Sequence, residues 1–309
     1  MSAPRVVAVT GASGFIGRAF VQRALAHGWS LRRFVHTPAE GAIAMDLRNA
    51  SVDDLARALD GVATIVHLAG RAHVMRENAT DPQDAYRRDN AETTERVARA
   101  ALAAGVGRFV FASTVKVAGE RTRPGTPFRP DDAPGPQDAY ARSKLAAERA
   151  LQQIAGRSPM TALVLRLPLV YGAGARGNFR RLVDAVAARR WLPFGAIDNR
   201  RSVAGIDTVL DAFEAAIEAP DAASGVHFVA DRDAVSTPQL VRAIAAALGV
   251  APRLLDVPVG VMRFAATLTG QRDAIERLTG SLEVDTSSLT SATGWSPRPF
   301  AIDASTVAR

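Results

Sequence analysis

Tyr140 and Lys144 stand four residues apart in the stretch YARSK, a spacing that puts a phenol and an ammonium on one face of a helix. A cation beside a phenol favours the phenolate, so the tyrosine becomes usable as a general acid or base near neutral pH. An ordinary i,i+4 ion pair between Lys144 and Glu148 is the competing reading of the same lysine. Upstream, Ser113 and Thr114 end the strand-like run RFVFAST, where a hydroxyl can join the same site. The chain contains only two lysines, Lys116 and Lys144, and uses arginine wherever else it needs a cation. Both positions are therefore candidates for needing an ammonium specifically. For Lys116 a donor to a substrate oxygen and a solvated loop residue are equally good readings.

A second constellation is TGASGFIG at residues 10–17, with Gly11, Gly14 and Gly17 three apart instead of in the G-x-G-x-x-G register. It follows a β-branched run directly and enters a helix. Its backbone N–H groups and the positive helix end would face an anionic pyrophosphate, and the glycines permit the tight turn and close approach.

The elements that must position these residues alternate along the first half of the chain. Runs such as RVVAVT, SLRRFVH, TIVHLAG, GRFVFAST and TALVLRL are interleaved with the helical FVQRALAHG, DDLARALD, ETTERVARAALAAG and SKLAAERALQQIAG. Strand then helix, repeated, predicts an α/β fold with a doubly wound parallel sheet, which binds ligands at the carboxyl ends of its strands. After LPLVYG the rhythm changes, and a smaller, mostly helical C-terminal lobe is expected. The predicted division gives residues 1–175 with 200–232 to the dinucleotide-binding part and 176–199 with 233–309 to the substrate lobe. Residues 120–138 form a long irregular segment with five prolines, a length that in a compact domain points to function.

Bulk properties exclude several classes. Cysteine is absent, which removes disulfides and thiolate chemistry. The net charge of +7 is spread over helices that also carry Asp and Glu, with no basic tail and no aromatic stacking platform, so nucleic acid is not an expected partner. No apolar run is long enough to span a bilayer and no leader pattern opens the chain, so no membrane partner is expected and a cytoplasmic protein is. The histidines lack metal-ligand spacing, so no metal is expected; His67, ending a strand, reads as a core residue.

TGASGFIG, HLAG, DNAETT, FASTVKVAGE, YARSK, LRLPLVYG, NRRS and GWSP occur in the order and approximate spacing of the extended short-chain dehydrogenases/reductases, and the chain especially resembles their UDP-glucose 4-epimerase-like members over nearly its whole length. In that family the three-apart glycine spacing is the usual one. The resemblance implies a Rossmann sheet, an NAD or NADP cofactor, a nucleotide-sugar substrate and a homodimer paired through two of the sheet's helices. It implies catalytic roles for Thr114, Tyr140 and Lys144, with Ser113 beside them. Around Gly11, Gly14 and Gly17, the backbone at Phe15 and Ile16 would touch the pyrophosphate. His36 would lie near the adenosine ribose, Asp46 would accept from the adenine amino group beside Leu47, and Leu68, Ala69 and Gly70 would line the cofactor. Asn90 corresponds to a bridging asparagine of the family or, read locally, to a helix cap. Toward the substrate, Lys116, Asn178, Arg201 and Arg277 are the candidates, with Arg201 matching a diphosphate-binding arginine.

Three departures from the family pattern matter. No acid stands at the end of the second strand, where Val35 and His36 follow Arg32 and Arg33, so NADP is permitted. The Asp-Glu pair of the 4,6-dehydratases is replaced by Val115 and Lys116, which argues against elimination of water. A frequent tyrosine is missing from VAG at residues 117–119. The expected activity is hydride transfer at C4 of a UDP-hexose or UDP-N-acetylhexosamine, as a 4-epimerase, with an NADPH-dependent 4-keto-reductase and a non-catalytic dinucleotide sensor as alternatives.

Overall fold

The computed structural model describes residues 6–72, 81–268, 270 and 272–308. Strand β1 (Val6–Thr10) leads into helix α1 (Phe15–Ala26), then β2 (Ser30–Val35), the short β3 (Ile43–Ala44), α2 (Val52–Ala58) and β4 (Val62–His67). Helix α3 (Pro82–Tyr86) passes through a π-helical turn, Arg87–Glu92, into α4 (Thr93–Ala103). Strand β5 (Arg108–Thr114), helix α5 (Ala139–Ala155) and strand β6 (Thr161–Leu167) follow. The remainder comprises β7 (Leu169–Tyr171), α6 (Asn178–Ala187), β8 (Val203–Gly205), α7 (Ile206–Glu218), β9 (Gly225–Phe228), α8 (Thr237–Ala247), α9 (Val259–Leu268), α10 (Arg272–Thr279) and α11 (Ser287–Thr293).

Among the described residues the main sheet has seven parallel strands in the order β3-β2-β1-β4-β5-β6-β9. The order reverses between β1 and β4, which opens a crevice at their carboxyl ends. Helices cover both faces, so the central strands are apolar on both sides and β6 is buried at every residue. One face packs Val9, Phe20, Val66, Leu165 and Phe213 together; the other packs Phe34, Ile65, Val97, Phe109 and Leu151.

A third apolar cluster, with Phe179, Val183, Val203, Val241 and Ile244, joins α6 and α8 to the two-stranded parallel pair β7–β8. Neither β3 nor this pair was expected from the sequence; each is two or three residues long and has no period of its own to read. The proline-rich segment is tied to the C-terminal chain. Thr122 N donates to Ser281 O at 2.9 Å and Phe128 N to Glu283 O at 2.9 Å. This pins residues 120–138 across the carboxyl end of β5.

Candidate functional site

The glycine-rich turn has the geometry of a close-packed cradle. Gly11 has φ +68, and a Cβ there would stand 2.7 Å from Ala69 N; at Gly17 a Cβ would stand 2.2 Å from Gly11 O. The first requires left-handed backbone and the second requires α1 to start hard against the turn. Gly14 is the N-cap of α1, no side chain among the described residues caps that end, and its first turn carries no acid. By contrast Ser51, Asp81, Asp138 and Ser236 cap α2, α3, α5 and α8 with their side chains. The N–H groups of Phe15, Ile16 and Gly17 therefore remain for an anion at the positive end of α1. A dinucleotide pyrophosphate fits this arrangement.

The neighbouring candidates lie along the same sheet edge. Leu68 N donates to Thr10 O at 3.2 Å, which holds Leu68 and Ala69 against Gly11. Asp46 is held at about 2 by the side chain of Arg48, and Asn49 Nδ2 adds a bond of 2.8 Å. Leu47 is buried, and its carbonyl accepts from Arg96. At the end of β2, Val35 is packed into the core while His36 is the first exposed side chain. The arginines before it point elsewhere: Arg32 bonds Ala58 O at 2.9 Å and Arg33 bonds Glu40 O at 2.9 Å. His36 is thus the exposed side chain at the end of β2, directly after the buried Val35.

Helix α5 begins at the cap residue Asp138, whose Oδ1 accepts from Ala141 N at 2.7 Å. Tyr140 lies in its first turn. Thr114, at the end of β5, acts on the phenol from one side, and the Tyr86 ring centroid is 5.9 Å from that of Tyr140. Burial raises the Tyr140 pKa, Thr114 lowers it, and the Asp138 carboxylate and Tyr86 raise it further; the net direction is up. One turn on, the buried Lys144 donates from Nζ to Ala112 O at 2.9 Å and sits 4.4 Å from the Phe111 ring centroid. Burial brings its pKa down to about 8, against a smaller opposing effect from Glu148. Lys144 is not among the groups that shift the phenol, because its ammonium is turned to the Ala112 carbonyl.

Glu148 does not form the exposed pair that competed for Lys144. It is fully buried, accepts from Arg166 Nη2 at 2.7 Å and Nε at 3.1 Å, and takes the hydroxyl of Ser113 as well. Ser113 is consequently engaged with Glu148 in the interior. Strand alternation explains this: Ser113 and Thr114 are adjacent on β5 and face opposite sides. Asn90, in the π-helical turn, is no helix cap. Its Oδ1 accepts from Arg71 N at 2.7 Å and its Nδ2 donates to Ser143 Oγ at 2.9 Å. It cross-links the chain after β4 to α5, and Gly70 leaves room for it, since a Cβ there would lie 2.8 Å from Asn90 Oδ1 and 3.4 Å from Lys144 Nζ. His67 is a core residue: Thr10 Oγ1 is 2.7 Å from Nδ1, Thr94 Oγ1 is 3.1 Å from Nε2, and burial holds its pKa down to about 3.

The substrate candidates form a connected group beyond β5. Lys116 Nζ is 2.6 Å from Asp138 Oδ2 and 3.3 Å from Glu120 Oε1, and Arg277 Nη1 is 3.9 Å from Glu120 Oε2. Arg201 donates to Arg277 O at 2.7 Å and Gly280 O at 2.8 Å, capping the C-terminus of α10. Asn178 is the exposed first residue of α6, whose N-cap is Gly177 at φ 72 and which also has no side-chain cap among the described residues. Lys116 is therefore neither a free donor nor a solvated loop residue. Asp138, Glu120 and Arg166 escaped the sequence reading, and Glu148 entered it only as an exposed partner of Lys144. Only Asp138 left a signal, as an Asp three residues ahead of a helical position. Among the described residues no group of three His, Cys, Asp or Glu could hold a metal.

Residues 7–230 match the model of the NAD dependent epimerase/dehydratase family. The chain belongs to that family. It is an NAD(P)-dependent enzyme of the extended short-chain dehydrogenase/reductase type. The UDP-glucose 4-epimerase of Vibrio cholerae is 35% identical over 300 residues, which are 95% of this chain and 91% of that protein. A dTDP-6-deoxy-L-talose 4-dehydrogenase (NAD(P)(+)) of Kitasatospora kifunensis is 34% identical over 196 residues, 61% of this chain and 59% of its own. Among solved structures, MoeE5 in complex with UDP-glucose and NAD superposes with a TM-score of 0.76 at 26% identity, covering 95% of this chain and 94% of that one. The family accounts for the cradle, for the tyrosine and lysine one turn apart, and for the sheet order that brings them to one crevice.

Proposed function

We propose that this enzyme is a nucleotide-sugar 4-epimerase acting on a UDP-hexose or UDP-N-acetylhexosamine. The carrying observation is that Thr114 ends β5 while Tyr140 and Lys144 stand one turn apart on α5, with Lys144 reaching the Ala112 carbonyl of the same strand. The similarity to the Vibrio cholerae enzyme over almost the whole chain supports the same reading. In this assignment Gly11, Gly14 and Gly17 with the start of α1 hold the pyrophosphate, His36, Asp46 and Leu47 the adenosine, and Leu68, Ala69, Gly70 and Lys144 the nicotinamide half. When bound, the oxidised nicotinamide supplies the hydride acceptor and a positive charge that offsets the raised pKa of the phenol. Tyr140 as phenolate takes the proton of the C4 hydroxyl, and Thr114 orients that oxygen. Lys144 holds the ribose and keeps the phenol in place. Asn178 and Arg201, at a free helix start and across the C-terminal segment, are assigned to the substrate diphosphate.

Val115 and Lys116 supply no carboxylic acid next to Thr114, so elimination of water is outside this proposal. The same reading assigns residues 176–199 and 233–309 to the substrate lobe, pairs two copies through the outer faces of α4 and α5, and places the enzyme in the cytoplasm. A 4-keto-reductase using NADPH is the second reading, favoured by the exposed His36 where an acid would reject a 2′-phosphate. The deciding experiment is Tyr140→Phe assayed on UDP-glucose and UDP-N-acetylglucosamine. Turnover should fall by about 10²–10⁴-fold while NAD affinity persists; near-normal turnover would show that the acid/base assignment is wrong. Consumption of NADPH with a 4-keto sugar nucleotide, without epimerisation, would decide for the reductase.

A further inference from the structure

Lys116 is the one lysine that this reaction leaves without a task. Its ammonium lies 2.6 Å from Asp138 Oδ2 and 3.3 Å from Glu120 Oε1, with its side chain 33% exposed. Asp138 is the residue that starts the catalytic helix: Oδ1 caps the Ala141 N–H at 2.7 Å while Oδ2 faces Lys116. Burial works against the charged form of that carboxyl, but Lys116 and the Ala141 N–H outweigh it and its pKa falls. The carboxylate is thus fixed as an anion two residues from Tyr140, where it opposes ionisation of the phenol. Two of the three ammonium donors of Lys116 are engaged by carboxylates, which leaves little for a sugar hydroxyl.

We propose that Lys116 is a positioning residue for Tyr140: it clamps Asp138 in its cap, which fixes the first turn of α5, and it neutralises the carboxylate nearest the phenol so that the phenol can ionise during turnover. The clamp rests on the acid/base reading of Tyr140 given above. The other groups acting on Tyr140 are Thr114 from β5 and Tyr86 from α3, while Lys144, one turn on along the same helix, is turned to the Ala112 carbonyl. Arg71, with its guanidinium carbon 5.4 Å from the Tyr86 ring centroid, and Asp89, 3.4 Å from Arg71, stand behind Tyr86. Glu120 and Arg277 reach the phenol only through the Lys116 cluster. A substitution at position 116 removes none of these groups.

The test uses the full chain saturated with NAD. Lys116→Met, Lys116→Arg, Asp138→Asn and the double variant Lys116→Met/Asp138→Asn are compared with the unsubstituted protein. Tyrosinate absorbance is titrated in each, with the same protein carrying Tyr140→Phe as the blank, and the acid limb of the turnover profile is measured alongside. Loss of Lys116 should move both midpoints up by about one pH unit, as expected for an uncompensated neighbouring carboxylate. Lys116→Arg should keep them in place, Asp138→Asn should move them down, and adding Lys116→Met to Asp138→Asn should produce a much smaller shift than in the native background. Equal shifts in both backgrounds would overturn the proposal in favour of direct action on the phenol. Unmoved midpoints overturn it too: with a raised KM for the sugar nucleotide they make Lys116 a substrate donor, and with unchanged kinetics a surface residue. Should Lys116→Met bind NAD poorly and so report on folding, the absence of a downward shift in Asp138→Asn alone overturns the clamp. Should Tyr140→Phe retain turnover, the acid/base reading fails, while the absorbance midpoints still decide whether Lys116 acts on the phenol.

Discussion

At the scale of single residues, the site depends on charges held away from water. Lys144 is 6% exposed and its pKa is brought from 10.5 to about 8 by burial. Its folded value lies below its unfolded one, so between these two values the unfolded chain binds the extra proton and stability rises with pH through that window. Lys144→Met should therefore be more stable than the native chain near pH 7 and lose that advantage as pH climbs through the same window, with turnover abolished; chemical denaturation at several pH values measures this, and a pH-independent difference would contradict it. His67 works in the same sense lower down. Its pKa of about 3 against 6.5 unfolded means that stability falls as pH drops through that range. Replacement by the ring of Phe should flatten the acid side of the stability profile. On the proposed assignment of His36 to the adenosine half, cofactor preference is tested at one residue. His36→Asp, placed on the exposed end of β2, should turn the enzyme toward NAD(H) by repelling a 2′-phosphate and accepting from the ribose. Titration with both dinucleotides reads the change, and an unaltered ratio would remove His36 from the ribose site.

At the scale of elements, two junctions carry the arrangement. Helix α1 leaves no room for a side chain at Gly17, where it meets the preceding turn, so Gly17→Ala should disrupt the packing of helix against turn and with it dinucleotide binding, since the added carbon would meet backbone 2.2 Å away. Loss of binding with a helix of unchanged stability is not expected; both should fall together in a melting experiment with and without NAD. The second junction is the buried pair that links α5 to β6. Arg166 and Glu148 have side chains 3% and 2% exposed, and removing one partner leaves an uncompensated charge, which costs about 3–5 kcal/mol. Glu148→Gln should destabilise strongly, and Arg166→Met added to it should recover part of the loss. Equilibrium unfolding of the two single variants and the double variant measures the coupling; additive losses would mean that the pair is not a unit.

At the scale of the whole molecule, the C-terminal chain is fastened to the sheet by Tyr171, whose hydroxyl donates to Asp231 Oδ2 at 2.6 Å and accepts from Ala301 N at 3.3 Å. Tyr171→Phe should cost about 1–3 kcal/mol by leaving a buried acceptor short of a donor, and hydrogen exchange should quicken in residues 299–308 before the sheet strands; uniform quickening would argue that no local fastening exists. No helix among the described residues is long and apolar enough to cross a membrane. Local sequence determined the alternation of strands and helices, because each element must bury one stripe or both faces and so repeats its apolar residues at its own period. It also determined the glycine turn and the four-residue spacing of Tyr140 and Lys144, since both depend on neighbours a few bonds apart. Tertiary structure decided the rest. The partners of Lys116, Ser113, Asn90 and Arg201 lie 22, 35, 53 and 79 residues away along the chain. Which carboxylate meets which cation, and whether a lysine faces a phenol or a carbonyl, follows from how strands pair and helices dock, and no local period encodes it.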